Sequence, residues 1–178
     1  QHKYKEKYKF VKEPIEFNKY TERKLLQYCL GATLYMPATK KFYECLVNNK
    51  IKGLTSIVMC FEDAISEEEL PRAQENVLDF LNKISIQLES NLITLNDLPL
   101  IFFRVRSLKQ FKNFIQMFKK KYSKIVAGFV FPKFSTHNGY EYLNYLKKIN
   151  TKFDDVLYGM PILESKYIAF KETRRYEL

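Results

Sequence analysis

The chain has 178 residues, 46% of them hydrophobic and 16% aromatic, and carries a formal net charge of +10. That length can bury one good core, and this apolar content excludes an intrinsically disordered chain. No uncharged run nears the roughly 18 residues needed to cross a bilayer and no apolar targeting segment follows a basic start, so a soluble, cytoplasmic protein with no membrane partner is expected.

Residues 1–30 read as an N-terminal extension, charged and aromatic without a clear period, that ends in a short helix over 22–29. From Gly31 one rhythm takes over. Residues 31–36 (GATLYM) form a short apolar strand broken by Pro37, and 41–48 a short helix. A second strand spans 55–61 within an uncharged run, and a long helix spans 67–88. Its start carries Ser66 as N-cap with Glu69 three residues on, and Pro71 lies early enough to be tolerated. The third strand covers 100–105. The helix over 109–122 places Phe111, Phe114, Ile115 and Phe118 at helical spacing, which makes them core. Strand four covers 125–131 and stops at Pro132. Helix four covers 139–150, with Tyr142, Leu143, Leu146 and Ile149 on one face. Strand five covers 156–163, and a last helix runs from 167 to 178.

Five alternating β and α segments with near-continuous apolar strands predict an α/β fold with a parallel sheet. Two architectures fit that order. One is a (β/α)8 TIM barrel, of which residues 31–178 would supply about the first five units with the remainder beyond Leu178; the other is an open doubly wound sheet. The three cysteines, Cys29, Cys45 and Cys60, show no CxxC spacing, and the chain holds only two histidines. Reduced thiols are therefore expected, with Cys60 a small buried hydrophobe. The positive charge is spread over the N-terminal segment, the stretch around residues 119–124 and the tail. A basic solvated surface is the expectation, and nucleic acid is not the expected partner.

In a parallel α/β sheet the carboxyl ends of the strands share one face, where the chemistry collects. Those ends here read Pro37-Ala38-Thr39, Glu62-Asp63, Arg104-Val105-Arg106, Lys133 and Glu164. Charges at such a rim must be solvated, paired or gathered round a ligand. Carboxylates without histidine or thiolate suit a hard cation such as Mg2+ or Mn2+, and arginine beside them suits a carboxylate substrate gripped bidentately. Arg104 and Arg106 are read as alternating, one pointing to the sheet-core side and the other toward the helices, with Arg106 structural or solvent-facing. His137 is read as a loop residue.

The stretches LYMPAT, CFEDAI, FFRVRS, FVFPKF and GMPILES resemble, in order, the strand ends of the HpcH/HpaI aldolase and citrate lyase β-subunit superfamily. The nearest likeness is to its TIM-barrel C–C bond lyase branch associated with tellurium-resistance gene clusters. The resemblance implies a Mg2+-dependent or Mn2+-dependent lyase or aldolase that acts on a small 2-oxo acid or acyl thioester through an enolate. It implies Glu164 as metal ligand, with a second ligand beyond Leu178. Arg104, Glu62 and Asp63 would be catalytic, and Arg104, Pro37 and Thr39 would contact substrate. Lys133 and Arg106 would support the acids. A homo-oligomer is also expected. Ala38-Thr39 replaces the family's Gly-Asn or Gly-Asp, which weighs against coenzyme A, and Cys60 stands where an aspartate is frequent. A non-catalytic barrel-type binding or scaffold protein and a basic nucleic-acid-binding α/β domain are the competing classes.

Overall fold

In the computed structural model, which describes residues 11, 13–48 and 50–178, the apolar runs become five strands: β1 (Leu34–Pro37), β2 (Ser56–Cys60), β3 (Leu100–Arg104), β4 (Val126–Phe131) and β5 (Tyr158–Pro161). They hydrogen-bond in the order β1-β2-β3-β4-β5, every pair parallel. A doubly wound sheet reverses its strand order at a switch point. No reversal occurs here, so the open-sheet alternative gives way to adjacent units of a (β/α) barrel. The helices are α1 (Arg23–Leu26), α2 (Tyr43–Val47), α3 (Leu70–Glu89), α4 (Leu108–Met117), α5 (Gly139–Asn150), α6 (Lys166–Ala169) and α7 (Lys171–Glu177).

Strand pleating sorts the side chains into two layers. On the helix-covered face, Ile57, Met59, Ile101, Phe103, Phe129 and Phe131 pack against α3, α4 and α5 through residues such as Val77, Phe80, Phe111, Phe114 and Tyr142. Most of the aromatic rings meet tilted or edge-on, for example Phe111 with Phe129 at 4.6 Å between centroids, while Phe131 stacks on Tyr142 at 4.7 Å. The opposite face carries Val58, Leu100, Phe102, Ala127 and Val130, with Leu26 of α1 beneath them. β2, β3 and β4 are buried along their whole length, whereas β5 is half-exposed.

Several boundaries moved for local reasons. Gly31 has φ +59, outside the extended region, so β1 starts three residues later and Pro37 ends the strand instead of breaking it. Ser66 and Glu69 do form the reciprocal cap: the Ser66 amide donates to Glu69 Oε2 at 2.9 Å, and the Glu69 amide donates to Ser66 Oγ at 3.4 Å. It caps a turn that leads into α3, not the helix itself. α4 stops at Met117 because Phe118 is extended at ψ 111; Phe118 and Tyr122 remain buried through a 3-10 turn, Lys120–Lys124. Leu143 is 49% exposed, because it lies about 100° round the helix from Tyr142. The tail helix divides at Phe170, where ψ is 134, and buries no residue.

One glycine is imposed by the sheet. A Cβ on Gly128 would lie 2.0 Å from the Tyr158 backbone carbonyl oxygen on the neighbouring strand. The register between β3 and β4 also shifts at this level, between Ile101 and Phe102. Backbone cannot yield as a side chain does. Gly128→Ala is therefore expected to cost about 1–3 kcal/mol, read as a lowered urea midpoint at unchanged slope.

The expected extension over 1–30 falls partly outside the described residues, at 1–10 and 12. Its described part is fastened to the amino ends of the strands. Asn18 donates to Asn96 Oδ1 at 2.7 Å and Tyr20 Oη to Asp155 Oδ1 at 2.6 Å. The Lys19 ammonium is buried and donates to the Ser123 carbonyl and, at 2.9 Å, to that of Val126. Burial pushes the Lys19 pKa down to about 8 against the opposing pull of Asp155. Among the described residues, no helix is long and apolar enough to cross a membrane.

Candidate active site

The carboxyl ends of β2, β3 and β4 and the loop after β5 bring five charged side chains together. Leu100, Phe102 and Arg104 alternate onto the face away from α3, α4 and α5. At the end of that row the Arg104 guanidinium meets three carboxylates. Its Nε donates to Glu62 Oε2 at 2.8 Å, and its Nη2 donates to Glu62 Oε2 at 2.5 Å, Asp63 Oδ2 at 2.9 Å and Glu164 Oε1 at 2.7 Å. Lys133 closes the ring, donating through Nζ to Glu62 Oε1 at 2.6 Å. The Arg104 and Glu62 side chains are only 10% and 8% exposed, whereas Asp63 is 64% exposed.

Local backbone places these groups. The Glu62 amide donates to Cys60 Sγ at 3.3 Å, so the buried thiol shapes the turn that presents the acid. Lys133 takes φ 48, an uncommon conformation for a side chain with a Cβ and of the kind found where structure overrides local preference. That turn aims its amide at Glu164 Oε1, 3.2 Å away, while Asn138 Nδ2 holds its carbonyl at 3.1 Å. Both ends of Lys133 are thus used, and the residue pairs directly with the acid it was expected to support.

Burial opposes the Arg104 charge, but the hydrogen bond and charge of Glu62, joined by Glu164, outweigh it and hold the guanidinium above its ordinary pKa. The Lys133 ammonium is likewise raised, first by its hydrogen bond to Glu62. Both cations stay protonated throughout the neutral range.

The other expected site residues stand apart. Arg106 does not face the helices. It lies past the end of β3, with Nε donating to the Phe61 carbonyl at 3.0 Å and Nη2 to those of Glu62 at 3.1 Å and Ile65. The expectation that two residues i and i+2 diverge was wrong on pleat geometry, since such residues share a face; they part because only Arg104 is in the strand. Pro37 pairs in register with Cys60 and so reaches the same rim. Thr39 lies in the following turn, where Asn76 of α3 holds the carbonyls of Ala38 and Lys40 at 2.7 and 3.0 Å. Among the described residues, no hydrogen bond or ion pair joins Pro37 or Thr39 to the charged cluster. His137 is exposed in its loop and packs on Tyr167 at 4.8 Å. Tyr35 was overlooked by reading strand ends alone: it sits mid-strand in β1, half-exposed, and alternation from Leu34 and Met36 was the signal that could have found it.

Among the described residues, no three of His, Cys, Asp and Glu are grouped so as to enclose a metal ion. Glu62 has both oxygens taken by cations. Glu164, 35% exposed, makes its bonds through Oε1, and Asp63 is open to water. Two accessible carboxylates match the way Mg2+ is commonly held, by one or two acids with substrate and water completing the octahedron. In donor chemistry the residues fit such an ion.

A sequentially ordered parallel sheet, helices on its outer face and a charged rim at the strand carboxyl ends define a barrel enzyme of the (β/α) class. The family described as C–C bond lyase of the TIM-barrel fold matches residues 24–178. The chain belongs to that family and is a carbon–carbon lyase. No curated protein matches it.

Proposed function

We propose that the Arg104 cluster cleaves a carbon–carbon bond next to the carbonyl of a small 2-oxo acid, in the manner of the HpcH/HpaI aldolases, with Mg2+ or Mn2+ as cofactor. The observation that carries this reading is the convergence of Glu62, Asp63 and Glu164 on one guanidinium. Of that guanidinium, Nε and Nη2 are committed to the protein's own acids, which leaves Nη1 for the substrate carboxylate or carbonyl oxygen. Breaking the bond puts negative charge on that oxygen, and a fixed cation already in place stabilises it without reorganisation. Lys133 balances Glu62, so that the buried acid does not neutralise Arg104 alone. Asp63, the exposed acid, takes the proton released as the departing hydroxyl becomes a carbonyl.

Glu164 would hold the divalent ion directly and Asp63 through water; when bound, the ion supplies Lewis-acid stabilisation of the enolate oxygen. Pro37 and Thr39 border the substrate from the β1 side. The Ala38 amide and carbonyl are both occupied, by the Cys60 carbonyl at 3.0 Å and by Asn76. A backbone so committed supports a free carboxylate rather than a coenzyme A thioester as substrate.

Titration with Mn2+, followed by calorimetry, tests the ligand assignment. Altering mere partners of metal ligands costs about 10- to 100-fold in affinity, so Glu164→Gln is expected to cost at least as much. Equal affinity in both proteins would remove Glu164 from the metal.

A further inference from the structure

Besides the charged groups at the strand ends, β1 contributes a side chain from its middle. Leu34 and Met36 pack into the helix-covered core. Tyr35 between them therefore points to the opposite face, the one that carries Arg104. It pairs in register with Val58, and Pro37 with Cys60, whose own partner is Arg104. Tyr35 is 45% exposed, whereas Val58 and Cys60 on the neighbouring strand are buried. The charges of Arg104 and Glu164 both act on its phenol. Among the described residues its hydroxyl has no hydrogen-bond partner, although Ser, Thr, Asn and Lys side chains around the same sheet find partners.

We infer that Tyr35 is a further catalytic residue, whose hydroxyl donates a hydrogen bond to the substrate oxygen on which negative charge develops during cleavage. A phenol fits that position better than a third cation. It adds a directed donor without adding charge to a rim where Arg104 and Lys133 are already paired with Glu62, Asp63 and Glu164. Burial raises its pKa, Arg104 pulls it down, and the net is an upward shift, which keeps the proton on the oxygen at neutral pH. The donor is thus present for every turnover, and no proton need be transferred from it.

The inference rests on the 2-oxo acid reading, and one assay separates the two. Pyruvate serves as probe: in D2O with Mg2+, the full chain is expected to exchange the pyruvate methyl protons for deuterium through the enolate, followed by NMR. Tyr35→Phe keeps the ring and is half-exposed, and an unchanged thermal midpoint checks its fold. Losing one such donor costs about 100-fold or more in kcat, so the exchange rate constant is expected to fall by about that factor, with KM for pyruvate within about threefold of wild type. Exchange at the wild-type rate in Tyr35→Phe would overturn the role of Tyr35 and leave the lyase reading standing. A raised KM at unchanged kcat would also overturn it, since the phenol would then only contact bound substrate. No exchange in the wild type would overturn the 2-oxo acid reading, and Tyr35 with it.

Discussion

Replacing Arg104 by methionine is expected to destabilise the protein by about 3–5 kcal/mol and to abolish lyase activity together with it. Methionine fills similar space, so the loss is electrostatic. It would leave Glu62, 8% exposed, with one cation on Oε1 and none on Oε2, and would release Asp63 and Glu164 to repel it. Removing one partner of a buried pair costs this much because the other charge stays buried without compensation. Urea unfolding of Arg104→Met beside the double variant Arg104→Met/Glu62→Gln checks the cause. The double variant is expected to recover part of the stability, since the stranded charge is gone, while remaining inactive. A single variant as stable as wild type would show that the ring of charges is loosely held. Arg104→Lys keeps one charge but cannot reproduce four hydrogen bonds from two nitrogens to three carboxylates, so it belongs with the inactive proteins.

A second large effect lies at the other end of the strands and appears as a pH dependence. Lys19 is 6% exposed and loses its proton at about 8 when folded, against 10.5 in an unfolded chain. Below pH 8 both states hold the proton, and the folded state bears the full cost of a buried ammonium. Between pH 8 and 10.5 the unfolded chain binds more protons, so stability rises with pH; above 10.5 both forms are neutral. The whole interval is worth about 3 kcal/mol, of which about 2 kcal/mol falls before pH 9.5. Tyr20 works in the opposite sense: burial and its bond to Asp155 raise it to about 12, so its contribution is lost as pH climbs beyond its unfolded value near 10. Denaturation curves from pH 7.5 to 9.5 stay clear of that range. The difference between wild type and Lys19→Met is expected to grow in favour of wild type by about 2 kcal/mol across the window. A constant difference would mean that Lys19 is charged in the fold at pH 9.5, or has left its site. The neutral amine still has hydrogens for both the Ser123 and Val126 carbonyls, so the anchoring of the N-terminal segment survives the titration.

The two halves of the site were unequally legible. Glu62 and Asp63 stand at the end of a nine-residue uncharged run, and a charge at such a boundary is visible without coordinates because a buried strand cannot contain one unpaired. The same argument located Arg104, Lys133 and Glu164, and parallel topology then required a common rim. Arg106 meets the same criterion but reads as structural, and in space it holds backbone carbonyls and not the acids. Its carbonyl partners, Phe61, Glu62 and Ile65, belong to a loop whose path depends on Ser66, Glu69 and α3, which strand periodicity does not encode. Tyr35 escaped for the opposite reason, since an aromatic inside an apolar strand looks like core until the exposure of its face is known.

From composition and period alone came the order of strands and helices, the parallel sheet, and the polar groups at its carboxyl end, because each follows from hydrogen-bond satisfaction and burial along a short stretch of chain. The helix ends at Met117 and Phe170 did not, nor did the choice of Lys133 over Arg106 as the counter-ion of Glu62. Those depend on interactions between residues far apart in the chain, 42 positions for Glu62 with Arg104 and 71 for Glu62 with Lys133. A few tenths of an ångström between such groups decide which hydrogen bond forms, and only the packed sheet sets distances that fine.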